Sequence, residues 1–409
     1  MEPDTSRHLP LTPQGRFALN YFALFSVFAV VTPYFQKLLY LRGFNEEQIG
    51  FITAMLETVG IFAPPLWGWL SDHSRHRRRL LAATILGAAA MFMTFGWVGA
   101  FPLAVASAVV FGFFYRPIIP LNDGLFLRYL AEHGGDYGRP RIAGSVAFII
   151  VIFTMEAVGV AGAHGREVIL GAMALCAMFH VAAIGALPLT RREIAERAGE
   201  RRHQRHFDWR LFLSVQFVSF TLVAFLARVG ISGYYGFFTL FLQKELGYKT
   251  AGYLWILGPV SEIPVIFFSS AIIRRIGVRN MFALGVAGAA VRLTGYAFVP
   301  SFWWIVPLQL LHSLTFGAFH TASIHYVHRI APPDMKQSAV SVFNAVALGV
   351  SAIVGNAAGG MLILRQGYRF MYGCYGLVAL VALAGLFLFV REPKTPELKE
   401  PLTGPGRAE

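Results

Sequence analysis

Twelve stretches of this chain are each long and apolar enough to cross a bilayer, and mostly short polar loops separate them. A bilayer core takes about 20 apolar residues in helical form. The stretches fall at 14–41, 49–70, 80–100, 103–129, 142–162, 168–187, 211–242, 252–273, 281–299, 302–328, 338–364 and 370–390. Hydrocarbon offers the backbone no hydrogen-bond partner, so a spanning segment of this length must be a helix. The expected fold is therefore an all-α membrane protein of twelve transmembrane helices. Little chain remains beyond loops and tails, which leaves no room for a separate soluble domain. The composition agrees: 56% of the 409 residues are hydrophobic and 14% are charged, against roughly 25% charged in soluble domains. Disorder is excluded on the same ground, because it needs low hydrophobicity and high charge.

The net charge is +13, from 35 Lys and Arg against 22 Asp and Glu. On a soluble protein such an excess points to nucleic acid; in a membrane protein the loops that carry it decide its meaning. Loops after the even-numbered stretches, together with both tails, hold 25 of the basic residues, including the run Arg75, Arg77, Arg78 and Arg79. Loops after the odd-numbered stretches hold seven, Lys37 and Arg42 among them. Basic residues stay on the cytoplasmic side, so both termini are expected in the cytoplasm. The bilayer, and not nucleic acid, is the expected partner of the basic loops. Residues 1–15 are polar and read as a tail, not a signal peptide.

The longest polar stretch separates six apolar stretches from six. The expected organisation is an N-terminal six-helix half (1–187), a cytoplasmic linker (188–209), a C-terminal six-helix half (210–391) and a cytoplasmic tail (392–409). The linker is rich in Arg and Glu and suits a short amphipathic surface helix near anionic lipid. The halves repeat weakly. Gly68-Trp69-Leu70-Ser71-Asp72 and its basic run join the second stretch to the third, and Arg274-Arg275-Ile276-Gly277-Val278-Arg279 joins the eighth to the ninth.

Residues 68–80, GWLSDHSRHRRRL, resemble the loop signature of the major facilitator superfamily, Gly-x-Leu-Ala/Ser-Asp followed by basic residues. Arg75 stands where that signature has glycine, and Arg274 stands where the second half would carry the Asp. YGRPRIAGS at 137–145, PLND at 120–123, Ser261-Glu262-Ile263-Pro264, and Leu311-His312 with Thr315-Phe316 together resemble the phenylpropionate-permease group of bacterial transporters. That group is related to lactose permease and the nucleoside–proton symporters, and the resemblance covers most of the chain. It implies a 6+6 pseudo-repeat, a central cavity, and proton-coupled uptake of a small organic solute by alternating access. It also implies a bacterial inner (plasma) membrane and a gating loop at Gly68, Asp72 and Arg75. Arg139 and Arg141 lie at the same mouth, as gate or solute contacts or as anchors to lipid phosphate and helix ends.

A charge at a helix centre costs about 2.5–3.5 kcal/mol on insertion scales, so each one retained is a site candidate. Glu262 lies between Pro259 and Pro264, which withdraw backbone donors, and is the first candidate for proton carrier. An apolar site favours a neutral carboxyl and a neighbouring Arg the anion, so Glu262 paired with Arg292 could switch. In lactose permease an acid, an Arg and a His on helices 8, 9 and 10 form such a network, which the resemblance carries to Glu262, Arg292 and His312. The second acid of that network is Thr315 here. A purely structural buried pair is the other reading. Arg116 and Asp123 are two helical turns apart and share a face; Asp123 is a further proton-coupling candidate. Arg116 could hold an anion or form a structural ion pair.

Arg228, Glu57, Asn344 and Asn356 are candidate solute contacts or helix contacts. His312 and His320 are eight residues apart, about 80° around a helix, so both can border one cavity; each could equally bond a facing helix. Tyr234 and Trp255 could stack on an aromatic solute or simply pack the core. Cys176 and Cys374 read as packing residues. No cofactor or metal is expected, since the histidines lack acids or Cys at ligand spacing. No phosphate-binding loop or nucleophile set suggests an enzyme or direct ATP drive. The expected function is proton-coupled symport of a small organic solute, with an organic or aromatic carboxylate favoured, by a protein expected to be monomeric. Sugar or nucleoside uptake, and solute or drug efflux, are the alternatives.

Overall fold

A computed structural model describes residues 11–74, 76–135, 137–188, 209–332 and 335–393. They form helices and turns, with no strand among them. In chain order the long helices are α1 (Pro13–Leu41), α2 (Glu46–His73), α3 (Arg77–Thr94), α4 (Phe101–His133), α5 (Gly138–Ala157) and α6 (Gly165–Gly185). After a four-residue turn at Arg210–Leu213 come α7 (Val215–Lys244), α8 (Gly252–Ile276), α9 (Val278–Phe298), α10 (Phe302–Ile330), α11 (Ser338–Gln366) and α12 (Tyr368–Phe389). Ten are long and apolar enough to cross a membrane, and α8 makes eleven despite a 57° bend between Phe267 and Ser269. The other, α3, has 18 residues and opens on three arginines. The series is consistent with the twelve expected spans. Arg75 and most of the 188–209 linker lie outside the described residues.

Local chemistry accounts for the boundaries. Thr12 caps α1, Ser214 caps α7, and Asn45 forms a reciprocal capping box with Gln48 at the start of α2. These side chains satisfy amides that a helix start leaves open. Gly277 and Gly367, at φ of +85° and +89°, turn α8 directly into α9 and α11 directly into α12. Only glycine adopts that conformation at no steric cost.

Three spans are less regular than their apolar pattern suggests. Pro117 interrupts α4, leaving Phe101–Tyr115 and Ile118–His133 on either side of Arg116-Pro117. A π-helical turn occupies Ser313–Ala318 in α10, and another occupies Ala345–Val350 in α11. Such turns often accompany functional sites.

The helices before residue 188 pack among themselves, α1 on α5 and α6 and α2 on α4. Those after residue 209 do likewise, α9 on α12 and α7 on α11 and α12. The groups meet through α2 with α11, α5 with α8 and α1 with α7. Lipid gives no hydrophobic drive to helix association, so small residues that let backbones approach set these contacts. At Gly50 and Gly360 a Cβ on either would run into the opposite helix backbone. Phe267, Trp303 and Leu388 point outward, at 79%, 76% and 75% exposure, as lipid-facing side chains do.

The two groups are joined at the end remote from the chain termini, here called the far end. There Lys244 pairs with Glu46, and the Tyr368 hydroxyl donates to the same carboxylate at 3.1 Å. Glu156 accepts from the Tyr34 hydroxyl at 2.8 Å and from the Gly252 amide at 2.7 Å. Thr239 donates to the Pro33 carbonyl at 2.7 Å. Lys37, read above as a loop residue, is buried in α1 and donates to the Val160 carbonyl at 2.9 Å; its stem and amine are enclosed by the helix bundle.

Candidate functional site

Between the two groups lies a cavity of about 720 Å³, bordered by α1, α2, α4, α7, α10 and α11. It runs from Thr53 and Asn356, near the far end, past Pro64, Pro65 and Ser341 toward the end bearing the termini. Its charged lining is Glu57, Arg116 and Arg228. Arg116 sits at the break in α4 and pairs with Glu57 of α2. Arg228 faces them from α7, its guanidinium carbon 5.8 Å from the Tyr235 ring centre and without a described carboxylate at ion-pair distance. Phe28, Phe35, Tyr115, Tyr235 and Phe316 supply aromatic wall. Asn344 and Asn356 also line it, on either side of the π-turn in α11.

A second polar cluster lies behind this wall, within α7 to α10. Arg292 is 2% exposed. It donates to the Tyr296 hydroxyl (2.9 Å), Gln309 Oε1 (2.5 Å) and Thr315 Oγ1 (3.0 Å), and its guanidinium carbon lies 3.9 Å from the Tyr234 ring centre. Gln309 also accepts from the Tyr296 hydroxyl (2.7 Å) and donates to the Tyr234 hydroxyl (2.8 Å) and the Leu254 carbonyl (2.9 Å). The remaining contact is Arg292 Nη1 with His312 Nδ1 at 3.2 Å. A guanidinium only donates, so Nδ1 must be the acceptor and the ring proton of neutral His312 sits on Nε2. That nitrogen faces Glu262 Oε2 at 3.7 Å. Tyr235 and Phe316 connect the cluster to the cavity, their ring centres 6.2 and 5.8 Å from that of His312.

The family model described as "MFS_1 like family" matches residues 15–374. The chain belongs to that family, within the major facilitator superfamily. This facilitator is 28% identical over 397 residues to "Maltose permease" of Geobacillus stearothermophilus, covering 93% of this chain and 95% of that one. It is 29% identical over 385 residues to "Probable 3-phenylpropionic acid transporter" of Escherichia coli, covering 91% and 96%. A crystal structure of a mutant of the nucleoside transporter NupG superposes with a TM-score of 0.82 at 16% identity, covering 93% of this chain and 100% of that one, which shows the common fold. The facilitator is a multi-pass membrane transporter and not an enzyme.

The structure brings several expected site residues together and separates others. Glu57, Arg116, Arg228, Asn344 and Asn356 all border the cavity. Glu262, Arg292 and His312 share the second cluster, but the expected direct pair of Glu262 with Arg292 is not formed: the His312 ring stands between them. Arg116 and Asp123 have separate partners, Arg116 pairing with Glu57 of α2. Asp123 instead accepts from the Tyr21 hydroxyl at 2.5 Å, beside the Asn20–Asn122 pair. His320 does not line the cavity; it stacks on Phe316. Tyr234 and Trp255 are core residues, the latter donating to Thr239 at 2.9 Å. Gly68 and Asp72 end α2, where Asp72 accepts from Arg128 at 2.5 Å. Arg139 opens α5, and Arg141 lies over the Phe25 ring at 3.8 Å. Gln309 and Tyr296 were missed, whereas Tyr235, the neighbour of Tyr234 and a further candidate for stacking on an aromatic solute, does line the cavity. A glutamine three residues before a histidine in an apolar span was the available signal for Gln309, as costly in hydrocarbon as any uncharged polar group.

Proposed function

We propose that this facilitator carries a small organic anion, with an aromatic carboxylate favoured, into a bacterial cell together with protons. One observation carries the reading: the central cavity is lined by two arginines but a single acid, among aromatic rings. A cation held in low dielectric without a counter-charge is costly, and an anionic solute supplies that charge. Arg228 is the anchor, and Arg116 with Glu57 forms the opposing wall. Glu262 and His312 are the proton-handling pair, with Arg292 holding the imidazole tautomer. Asp123 and Arg141 serve proton or gate functions in the first group of helices.

The helices of 1–187 and of 210–391 rock as two units about the cavity, as alternating access requires. The arginine-rich loops support a terminal end that faces the cytoplasm at the inner membrane, and the protein works as a monomer. The test is uptake of labelled 3-phenylpropionate into proteoliposomes with acid imposed outside. Wild type should accumulate the label and Glu262→Gln should not. Absence of gradient-driven uptake in wild type, or unchanged uptake in the variant, counts against the reading.

Proton-coupled sugar or nucleoside uptake is the second reading, favoured by the 28% identity to a maltose permease. Competition of uptake by maltose, nucleosides and carboxylates separates the two. Transport in inverted vesicles distinguishes efflux.

A further inference from the structure

The charge count of the cavity limits more than the sign of its solute. Among the described residues, Glu57, Arg116 and Arg228 are the acidic and basic side chains on its lining, which leaves one basic group in excess. Behind the wall, Arg292 and Glu262 lie on either side of His312, so that cluster adds no net charge while Glu262 is unprotonated, and none of the three is on the lining that the solute touches. The pairing within the lining is built in. The stem of Arg116 lies along Gly60, where an added Cβ would come within 3.1–3.4 Å of Cγ, Cδ and Nε. Gly60 is three residues beyond Glu57, so they share one face of α2, and the guanidinium is seated against the carboxylate. Arg116 and Glu57 keep 28% and 21% of their side-chain surface, so a solute can touch the pair without breaking it.

We propose that the site takes singly charged anions and that Glu57 sets this limit. By occupying Arg116, Glu57 leaves Arg228 as the cation open to an acid group. One solute carboxylate then brings the lining to neutrality. A second carboxylate would find no open cation and would face Glu57 across a low-dielectric space, where like charges repel strongly. Glu57 is thus a specificity-determining residue, acting on solute charge. This inference rests on the carboxylate reading above and narrows it to monoanions.

The test compares binding of 3-phenylpropionate with that of 3-(4-carboxyphenyl)propionate, the same body with a second carboxylate, to purified full-length protein at neutral pH. Wild type should bind the monoanion at least about tenfold tighter. Glu57→Gln opens Arg116 and should bring the two affinities within about threefold or reverse their order. Glu57→Asp keeps the charge and should retain the wild-type ratio. Equal wild-type affinities, or an unchanged ratio in Glu57→Gln, overturn the proposal while leaving the carboxylate reading in place. If wild type binds neither probe, both fall. Because the wild-type ratio is itself decisive, poor folding of a variant does not shield the idea.

Discussion

Arg292 is a buried cation whose described contacts include no carboxylate, and Gln309 does much of the work of stabilising it. The amide oxygen of Gln309 accepts from both Arg292 and Tyr296, and its nitrogen donates to Tyr234 and to the Leu254 carbonyl. Leaving a buried donor unpaired costs about 1–3 kcal/mol, and more for charged groups. Gln309→Ala strands several at once, so it should lower the unfolding temperature in detergent well below that of wild type. Gln309→Glu keeps an acceptor for Arg292 and supplies counter-charge, so its loss should be smaller. Equal melting of Gln309→Ala and wild type would show that water or rearrangement replaces these bonds. Thr315 has a related part: where the related symporter has a second acid, this chain has a hydroxyl accepting from Arg292. That leaves Glu262 as the acid nearest His312 in the cluster.

Among elements, the approach of α2 to α11 decides which end of the cavity is closed. Gly50 and Gly360 lie so near that a Cβ built at Gly50 would be 3.0 Å from the Gly360 Cα. Disulfide Cβ atoms sit about 3.5–4.5 Å apart, so Gly50→Cys with Gly360→Cys should crosslink after a small separation of the helices. Oxidation should then stop uptake and reduction should restore it, since the proposed alternating access opens the far end in every cycle. Full uptake by the oxidised pair would mean that transport needs no opening there. The interrupted form of α4 belongs to this scale too. Pro117 lacks an amide hydrogen and its ring crowds the preceding turn, so Arg116 lies at an interruption of α4, where its side chain reaches Glu57 of α2.

At the scale of the whole molecule, the two helix groups meet in one arrangement with polar ties at the far end. Glu46 links α2 to Lys244 of α7 and Tyr368 of α12, and Glu156 links α5 to the start of α8. Lys244→Glu places like charges in contact and should shift the population toward a far-open form. Maleimide labelling of a cysteine placed at Thr239 should then rise above the level in the otherwise wild-type background; unchanged labelling would mean that the packed glycines alone hold this end.

The number and order of the spans could be read from the chain because length and hydropathy are local quantities, and each helix must satisfy its own backbone in lipid. Most of the helix-embedded charges were legible for the same reason, Lys37 excepted. Their grouping was not. Arg292 and Glu262 sit on different helices, and only the packing of α8, α9 and α10 puts an imidazole between them. Gln309 carries no charge, so the cost that marked the embedded acids and arginines passed it over. Lys37 sits near the end of an apolar stretch, where sequence does not distinguish a loop amine from one enclosed by helices.

Twelve apolar stretches, the placement of basic loops and a short set of buried ionisable residues followed from the sequence alone, because each reflects the cost of moving one group from water to lipid. Tertiary packing decided which residues share the cavity, which lie behind its wall and which end is held shut. Those outcomes depend on distances between residues far apart in the chain, which no local transfer energy contains.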